Sequence, residues 1–349
     1  MKLKSRESGL SDTQLVTAAD RFEWGRSLRK RVPLESHAEL GEAANRDPVG
    51  LITAQEGGRL PYLLPVRHLR MGESVFAFYR GSAVVQAADL ASISDSSILV
   101  QLCGDCHLSN FGLYGSPERS LIFDINDFDE TLPGPFEWDV KRLATSFVLA
   151  GRDLAFKERD NKKAAMAAAT AYRETVTHFA RSRYIDAWYA KVDAAAMQEQ
   201  LGAARKDSKS AKRSKKVLDK ARSKDCLRAL RKLAIEVDGS YRIKSEPPNI
   251  IPLRELAHEA HPDDLHQTFT ELLHCYEASL PDDRAALIRR YHAVDFALKV
   301  VGVGSVGTRC YIVLLEGRDK DDPLFLQIKE ASPSVLETHL PTSRYGHSG

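Results

Sequence analysis

The chain has 349 residues, 43% of them hydrophobic and 28% charged, with a formal net charge of +2. That length supports one large domain or two lobes with a true core, and the composition is that of a globular protein, not a disordered one. Near-neutral charge excludes a global attraction to nucleic acid or membrane, so any basic partner surface must be local.

The opening MKLKSRESGLSDTQ carries positive charge with no apolar stretch behind it, so no secretory signal is expected. No run is apolar enough to span a membrane. The cysteines, Cys103, Cys106, Cys226, Cys275 and Cys310, do not form a disulfide framework and are expected as free thiols in a cytoplasmic protein.

Residues 1–60 are polar and weakly periodic, and predict one or two short surface helices. Val75 to Leu90 has apolar groups at mixed three and four spacing, which predicts one largely buried helix with Gly81 as its weak point. ILVQL (98–102) and Leu121-Ile122-Phe123 read as short buried strands, each delivering polar residues at its carboxyl end. After the Pro/Gly loop 132–138, Leu143, Phe147, Ala150 and Leu154 mark the apolar face of a helix running from Asp139 to Phe156.

Residues 157–235 read as several charged helices. Within them, positions 205–224 hold ten Lys/Arg against two Asp. With no aromatic residues interleaved for base stacking, the segment 203–235 reads as a solvated basic helix or linker, and nucleic acid is not expected as a partner.

SEPPNIIPL (245–253) is a loop, and Pro262 and Pro281 open two helices ending near Phe296. Residues 298–331 read as strand, glycine loop, strand, polar turn and strand, a small antiparallel sheet. The expected organisation is a segment 1–60, a helix-rich lobe 61–296 and a small β lobe 297–349.

Chemistry concentrates in two clusters. In CGDCHLSNFG, Asp105 is followed five residues later by Asn110, the spacing at which kinase catalytic loops place an acidic acceptor for the incoming hydroxyl and an amide oxygen for the metal. In FDINDFDE, carboxylates at a strand end are hard ligands suited to Mg²⁺. Asp124 is the first choice because the strand runs straight into it, with Asp127 and Asp129 in reserve. Turn and cap chemistry is the plain alternative for all these acids.

A third element, Gly302-Val303-Gly304-Ser305-Val306-Gly307, fits either a dinucleotide fingerprint or a kinase glycine loop. A dinucleotide motif must open a helix, whereas TRCYIVLL is β-branched and aromatic, so a hairpin covering phosphates is expected, with Gly302, Gly304, Ser305 and Gly307 as its binding residues. Lys329 on the next strand is placed to pair with nucleotide phosphates; the plain alternative is an edge-strand lysine. Cys103-Gly104-Asp105-Cys106-His107 also spells the haem-attachment pattern, but that calls for export and a helical setting. No second Cys/His pair stands at zinc spacing.

These motifs closely resemble a bacterial family catalogued as domain of unknown function 2252, the resemblance running over about residues 45–349. More remotely, GDCHLSN followed by LIFDINDFD resembles the G-D-x-H-x-x-N and I-D-x-x-D pair of aminoglycoside and choline phosphotransferases. Carried over, that resemblance implies Asp105 as catalytic base, Asn110 and Asp124 as metal ligands, and Asp139 as a brace for the catalytic loop.

Because the glycine loop and lysine follow the catalytic loop, the implied fold is a circularly permuted, kinase-like α+β protein. Family members continue past the point where this sequence stops at Gly349, which implies an incomplete small lobe lacking the glutamate partner of Lys329. The expected function is transfer of the γ-phosphate of Mg-ATP to a hydroxyl on an unidentified acceptor, a small molecule or a protein, with Asp105 and Lys329 catalytic. The alternative is a catalytically inactive nucleotide-binding or protein-interaction module.

Overall fold

Helix formation begins at Thr17, whose hydroxyl accepts the Asp20 N–H while the Asp20 carboxylate accepts in return, a capping box that starts α1 (Ala18–Arg31). The computed structural model describes residues 17–41, 46–204, 216–219, 221, 226–256, 262–346 and 348. The helices α2 (Pro48–Ala54) and α3 (Leu64–Gly72) each carry proline in the first turn, where its missing N–H is harmless.

The single helix expected over 75–90 is two, α4 (Val75–Arg80) and α5 (Ala83–Ala91). The break has a local cause. Met71 packs so close to Gly81 that a Cβ there would lie 2.8 Å from its side chain, and the Gly81 carbonyl is taken by Arg67 Nη2 at 3.1 Å.

Both short apolar runs are strands, β1 (Leu99–Leu102) and β3 (Leu121–Ile125), but they are not paired with each other. β1 pairs antiparallel with β4 (Leu132–Pro135), and β3 with β2 (Phe111–Gly115). Nor is β1 buried as expected: Leu102 is, while Leu99 is 59% exposed.

The helix α6 (Glu137–Asp153) buries Trp138, Arg142 and Ser146, whereas Leu154, on the expected apolar face, is 65% exposed. It packs on α7 (Glu158–Phe179), with Phe136 stacked on Tyr172 at 5.9 Å. The chain continues through α8 (Tyr184–Trp188) and α9 (Ala194–Ala204). The basic stretch 205–224 lies almost wholly outside the described residues.

A helix, Cys226–Leu233, leads into the hairpin β5 (Ala234–Val237) and β6 (Ser240–Ile243). SEPPNIIPL is not all loop, because Ile250–Pro252 forms β7. Helices Pro262–Ser279 and Asp282–Ile288 follow, and the second ends well before Phe296.

Phe296 lies instead inside β8 (His292–Lys299), so a boundary at 296 would cut a strand. With β9 (Cys310–Glu316) and β10 (Pro323–Lys329), this makes a four-stranded antiparallel sheet in the order β10-β9-β8-β7. The sheet is covered on both faces. Ala297, Ile312 and Leu314 pack with Leu230, Ile243 and Ile250 on one side, and Phe296, Val313 and Leu315 with Leu253 and Phe269 on the other.

The sheet is fastened to the helical part at two places. Val303 joins Ile52, Met71 and Val84, and Val306 joins Leu60 and Leu63. Leu336, beyond β10, packs with Leu90, Leu102, Leu132 and Trp138. Burial of each such side chain contributes about 1.5–3 kcal/mol. Among the described residues, no helix is long and apolar enough to cross a membrane.

Candidate functional site

The loop 103–110 is held in shape from α6. Asp139 accepts the Cys103 N–H at 2.7 Å and the Gly104 N–H at 3.1 Å, and Ser146 Oγ accepts the Leu108 N–H at 3.0 Å. Between them Arg142, almost fully buried, donates from Nε to Asp105 Oδ1 at 2.6 Å, from Nη1 to Gln86 at 2.6 Å and from Nη2 to the Tyr79 carbonyl at 3.0 Å.

The Arg142 guanidinium also lies 4.4 Å from the Tyr79 ring centre. Asp139, Arg142 and Ser146 are three and four residues apart, so one polar stripe of one helix fixes the whole loop. Burial pushes the Asp139 carboxyl upward, against the two N–H bonds that pull it down. His107 is pushed down by burial, which disfavours its charged form, and its Nε2 lies 3.6 Å from Asp105 Oδ2.

Gly104 has φ +83°, and a Cβ there would sit 1.9 Å from the Glu130 carbonyl oxygen. This close approach is how the second acidic loop comes to lie on the first. Asn126 N–H donates to the Asn110 carbonyl at 2.9 Å, Thr131 Oγ1 to the Leu102 carbonyl at 2.7 Å, and Cys103 Sγ to the Asp127 carbonyl at 3.4 Å. Asn110 Nδ2 donates to the Asp105 carbonyl at 2.8 Å.

From the end of β10, Lys329 Nζ reaches Asp127 at 3.1 Å and Asp129 at 3.0 Å. Burial pulls the lysine down, but its bond to Asp129 and the two negative charges more than offset this, and its pKa ends raised. Asp129 is pushed up by burial and by the neighbouring Asp127, despite Lys329.

Glu130 accepts the Val335 N–H at 2.7 Å, and burial pushes its carboxyl up to about 7. Its ordinary value is 4.5, so between 4.5 and about 7 unfolding releases a proton. The stabilisation from this group is therefore complete below 4.5 and is lost as pH rises through about 7. Glu130→Gln, which mimics the protonated carboxyl, is expected to match wild type in urea unfolding near the low end of that window. At about pH 8 it should be more stable by about 3 kcal/mol. A constant difference across the range would show that the carboxyl is not held this way.

The glycine loop between β8 and β9 is clamped. Arg59 Nη1 donates to the carbonyls of Gly304 at 2.8 Å and Val306 at 2.6 Å, Arg70 Nη1 to that of Gly302 at 2.8 Å, and the Leu60 N–H to that of Gly307 at 2.8 Å. Gly302 and Gly307 have φ +63° and +92°, a conformation that favours glycine.

These pieces enclose a cavity of about 400 Å³. Asp105, Asn110, Asp127, Asp129 and Lys329 line it together with Gly304 and Ser305. Gly302 and Gly307 shape the loop without lining the cavity. Asp124, the first choice among the acids, is exposed, accepts the Ile125 N–H at 2.8 Å and is not among the lining residues. Its strand partner is Gly112, while Asp127 and Asp129 lie in the loop that turns back over Gly104.

Arg59, Arg80 and Glu130 also line the cavity and were not foreseen from the sequence. The signal for Arg59 was absent, since nothing local distinguishes it. Arg142 was readable from its helical spacing to Asp139.

Cys103 and Cys106 are buried in the loop, and the Cys106 thiol is pushed far up by its hydrogen bond with Cys103 and by burial, a structural role with no helix around the pair. Among the described residues, no three His, Cys, Asp or Glu gather as a metal site. Asp127, Asp129 and Asn110 bring side-chain oxygens to the same cavity, and the two aspartates share the Lys329 ammonium.

The fold and cavity define a mixed α+β protein with a charged cleft between a helical body and a small antiparallel sheet. Residues 59–349 match a family described as "uncharacterized protein conserved in bacteria" (DUF2252), and the chain belongs to that family. Both acidic loops, the glycine loop and Lys329 lie inside the matched region. Comparison with curated proteins and with solved structures gave no match.

Proposed function

We propose that this chain is a kinase-like phosphotransferase with circularly permuted order, moving the γ-phosphate of ATP to a hydroxyl. One observation supports it above others: Lys329, far along the chain from the Asp105 loop, places its ammonium on Asp127 and Asp129 in the cavity that Asp105, Asn110 and Gly304–Ser305 line.

Asp105, with one oxygen on Arg142, orients the attacking hydroxyl with the other. Asp127, Asp129 and the Asn110 oxygen would hold Mg²⁺, whose chemistry there is neutralisation of phosphate charge; the metal role thus moves from Asp124 to the two lining aspartates. Lys329 pairs with the phosphates, and the backbone at Gly304–Ser305 covers them.

A second reading, nucleotide binding without turnover, is favoured by the fact that Asp105 and Lys329 are both already engaged in ion pairs. Measuring Mg-dependent ATP consumption beside Mg-ATP affinity separates the two. The first reading expects consumption, cut roughly tenfold or more by Asp105→Asn, with affinity within about threefold of wild type. Binding without any consumption selects the second. Absence of both removes the nucleotide altogether.

A further inference from the structure

Among the described residues, four of the carboxylates lining the cavity have a basic partner and Glu130 has none, while no guanidinium of the lining is in an ion pair. Asp105 is held by Arg142, Asp127 and Asp129 by Lys329, and Glu330 by Arg309 at 3.0 Å. Among the described residues, Arg80 makes no side-chain hydrogen bond or ion pair, although its Nε is buried and it lines the cavity.

Arg59, also lining the cavity, donates Nη1 to loop carbonyls and makes no ion pair, although the charges of Glu130, Glu56 and Glu330 act on it, and its Nε too is buried without a partner. Behind them Arg67 is 0% exposed and donates Nη2 to the Gly81 carbonyl at 3.1 Å, while its Nε and Nη1 find no partner.

Backbone contacts bring the three together. Arg67 donates to Gly81, which follows Arg80 in the chain, and Gly304, to which Arg59 donates, lies so near that a Cβ on it would be 3.0 Å from the Arg80 carbonyl oxygen. Buried donors without acceptors are costly, and like charges this close repel. A cavity that holds Arg80 without a partner and Arg59 bonded only to carbonyls, while most of its carboxylates already have a basic partner, is built for an anion.

We propose that Arg59 and Arg80, backed by Arg67, form a phosphate-binding subsite at the Gly81–Gly304 corner that works without a divalent cation. Its ligand is a phosphoryl group of a polyphosphate or phosphate ester, received by the planar guanidinium forks. The subsite requires the cavity but not phosphoryl transfer.

The test is calorimetric titration of the full chain with inorganic pyrophosphate in excess EDTA. Wild type is expected to bind one equivalent. Arg80→Gln should weaken binding roughly tenfold or more and Arg80→Lys less.

Should Arg80→Gln not fold, Ala83→Glu, which sets a negative charge on the same wall, should weaken binding to a like extent. No binding by wild type, or unchanged binding in the folded Arg80 or Ala83 variant, overturns the subsite. Arg80-dependent pyrophosphate binding in a chain that consumes no ATP would remove the transferase reading and leave this one standing; Mg-dependent turnover indifferent to Arg80 would do the reverse. ATP competing with pyrophosphate assigns the subsite to the nucleotide, and simultaneous binding assigns it to a phosphorylated acceptor.

Discussion

Arg142→Ala is expected to lower the unfolding free energy by about 3–5 kcal/mol, the range for breaking a buried ion pair from one side. The side chain is 3% exposed and its partner Asp105 20%, so solvent cannot replace what is removed. Three acceptors each lose a donor together, Asp105, Gln86 and the Tyr79 carbonyl, of which Gln86 keeps the Tyr79 hydroxyl and the carbonyl keeps Ser82. Tyr79 also loses the cation over its ring.

Urea unfolding measures the loss. The double variant Arg142→Met with Asp105→Asn should cost less than the two single changes added, because it leaves neither charge alone in the interior. A loss under about 1 kcal/mol for Arg142→Ala would mean that water reaches the network, and that the Asp105 loop is not anchored by α6.

That anchor shows which parts of the site were legible in the sequence. Asp139 and the loop it braces were found by motif resemblance, yet the apolar face assigned to α6 was the wrong one to follow. Leu143, Phe147, Ala150 and Leu154 keep helical spacing, but the buried stripe carries Arg142 and Ser146. Apolar periodicity finds the face that meets a hydrophobic core; a helix that presents hydrogen bonds to a buried loop inverts the rule.

The strand β8 failed for a related reason. HAVDFALK is covered on both faces, so its apolar residues run together without a period of two, and a short run of that kind reads as readily as the tail of a helix. TRCYIVLL was easier because β-branched and aromatic residues followed a glycine turn.

Choosing Asp124 over Asp127 was a failure of reach. A strand leading into an aspartate says where the backbone runs, while the cavity is made where the chain turns back at Gly104, a contact between residues far apart in sequence. Arg59 and Arg80 belong to the same class, since only tertiary folding brings them to the glycine loop.

Lys329 is where the competing readings diverge most, and Lys329→Gln should move two affinities in opposite directions. Its ammonium lies 3.1 and 3.0 Å from the two carboxylates proposed to hold the cation. Removing it deletes a charged partner of the nucleotide phosphates, so turnover of Mg-ATP should fall by roughly 10²–10³-fold. Binding of Mg-ATP should weaken with it, by roughly 10–100-fold.

The same change leaves Asp127 and Asp129 facing one another without a counter-charge. Mn²⁺ or Mg²⁺ added without nucleotide should then bind roughly tenfold more tightly than to wild type, where the ammonium holds that place. A lysine that only guards the edge of a sheet would change neither quantity. Loss of nucleotide affinity with no gain for the bare metal would keep Lys329 as a phosphate contact but move the cation away from Asp127 and Asp129. A gain for the metal with nucleotide affinity intact would make it a counter-ion and nothing more.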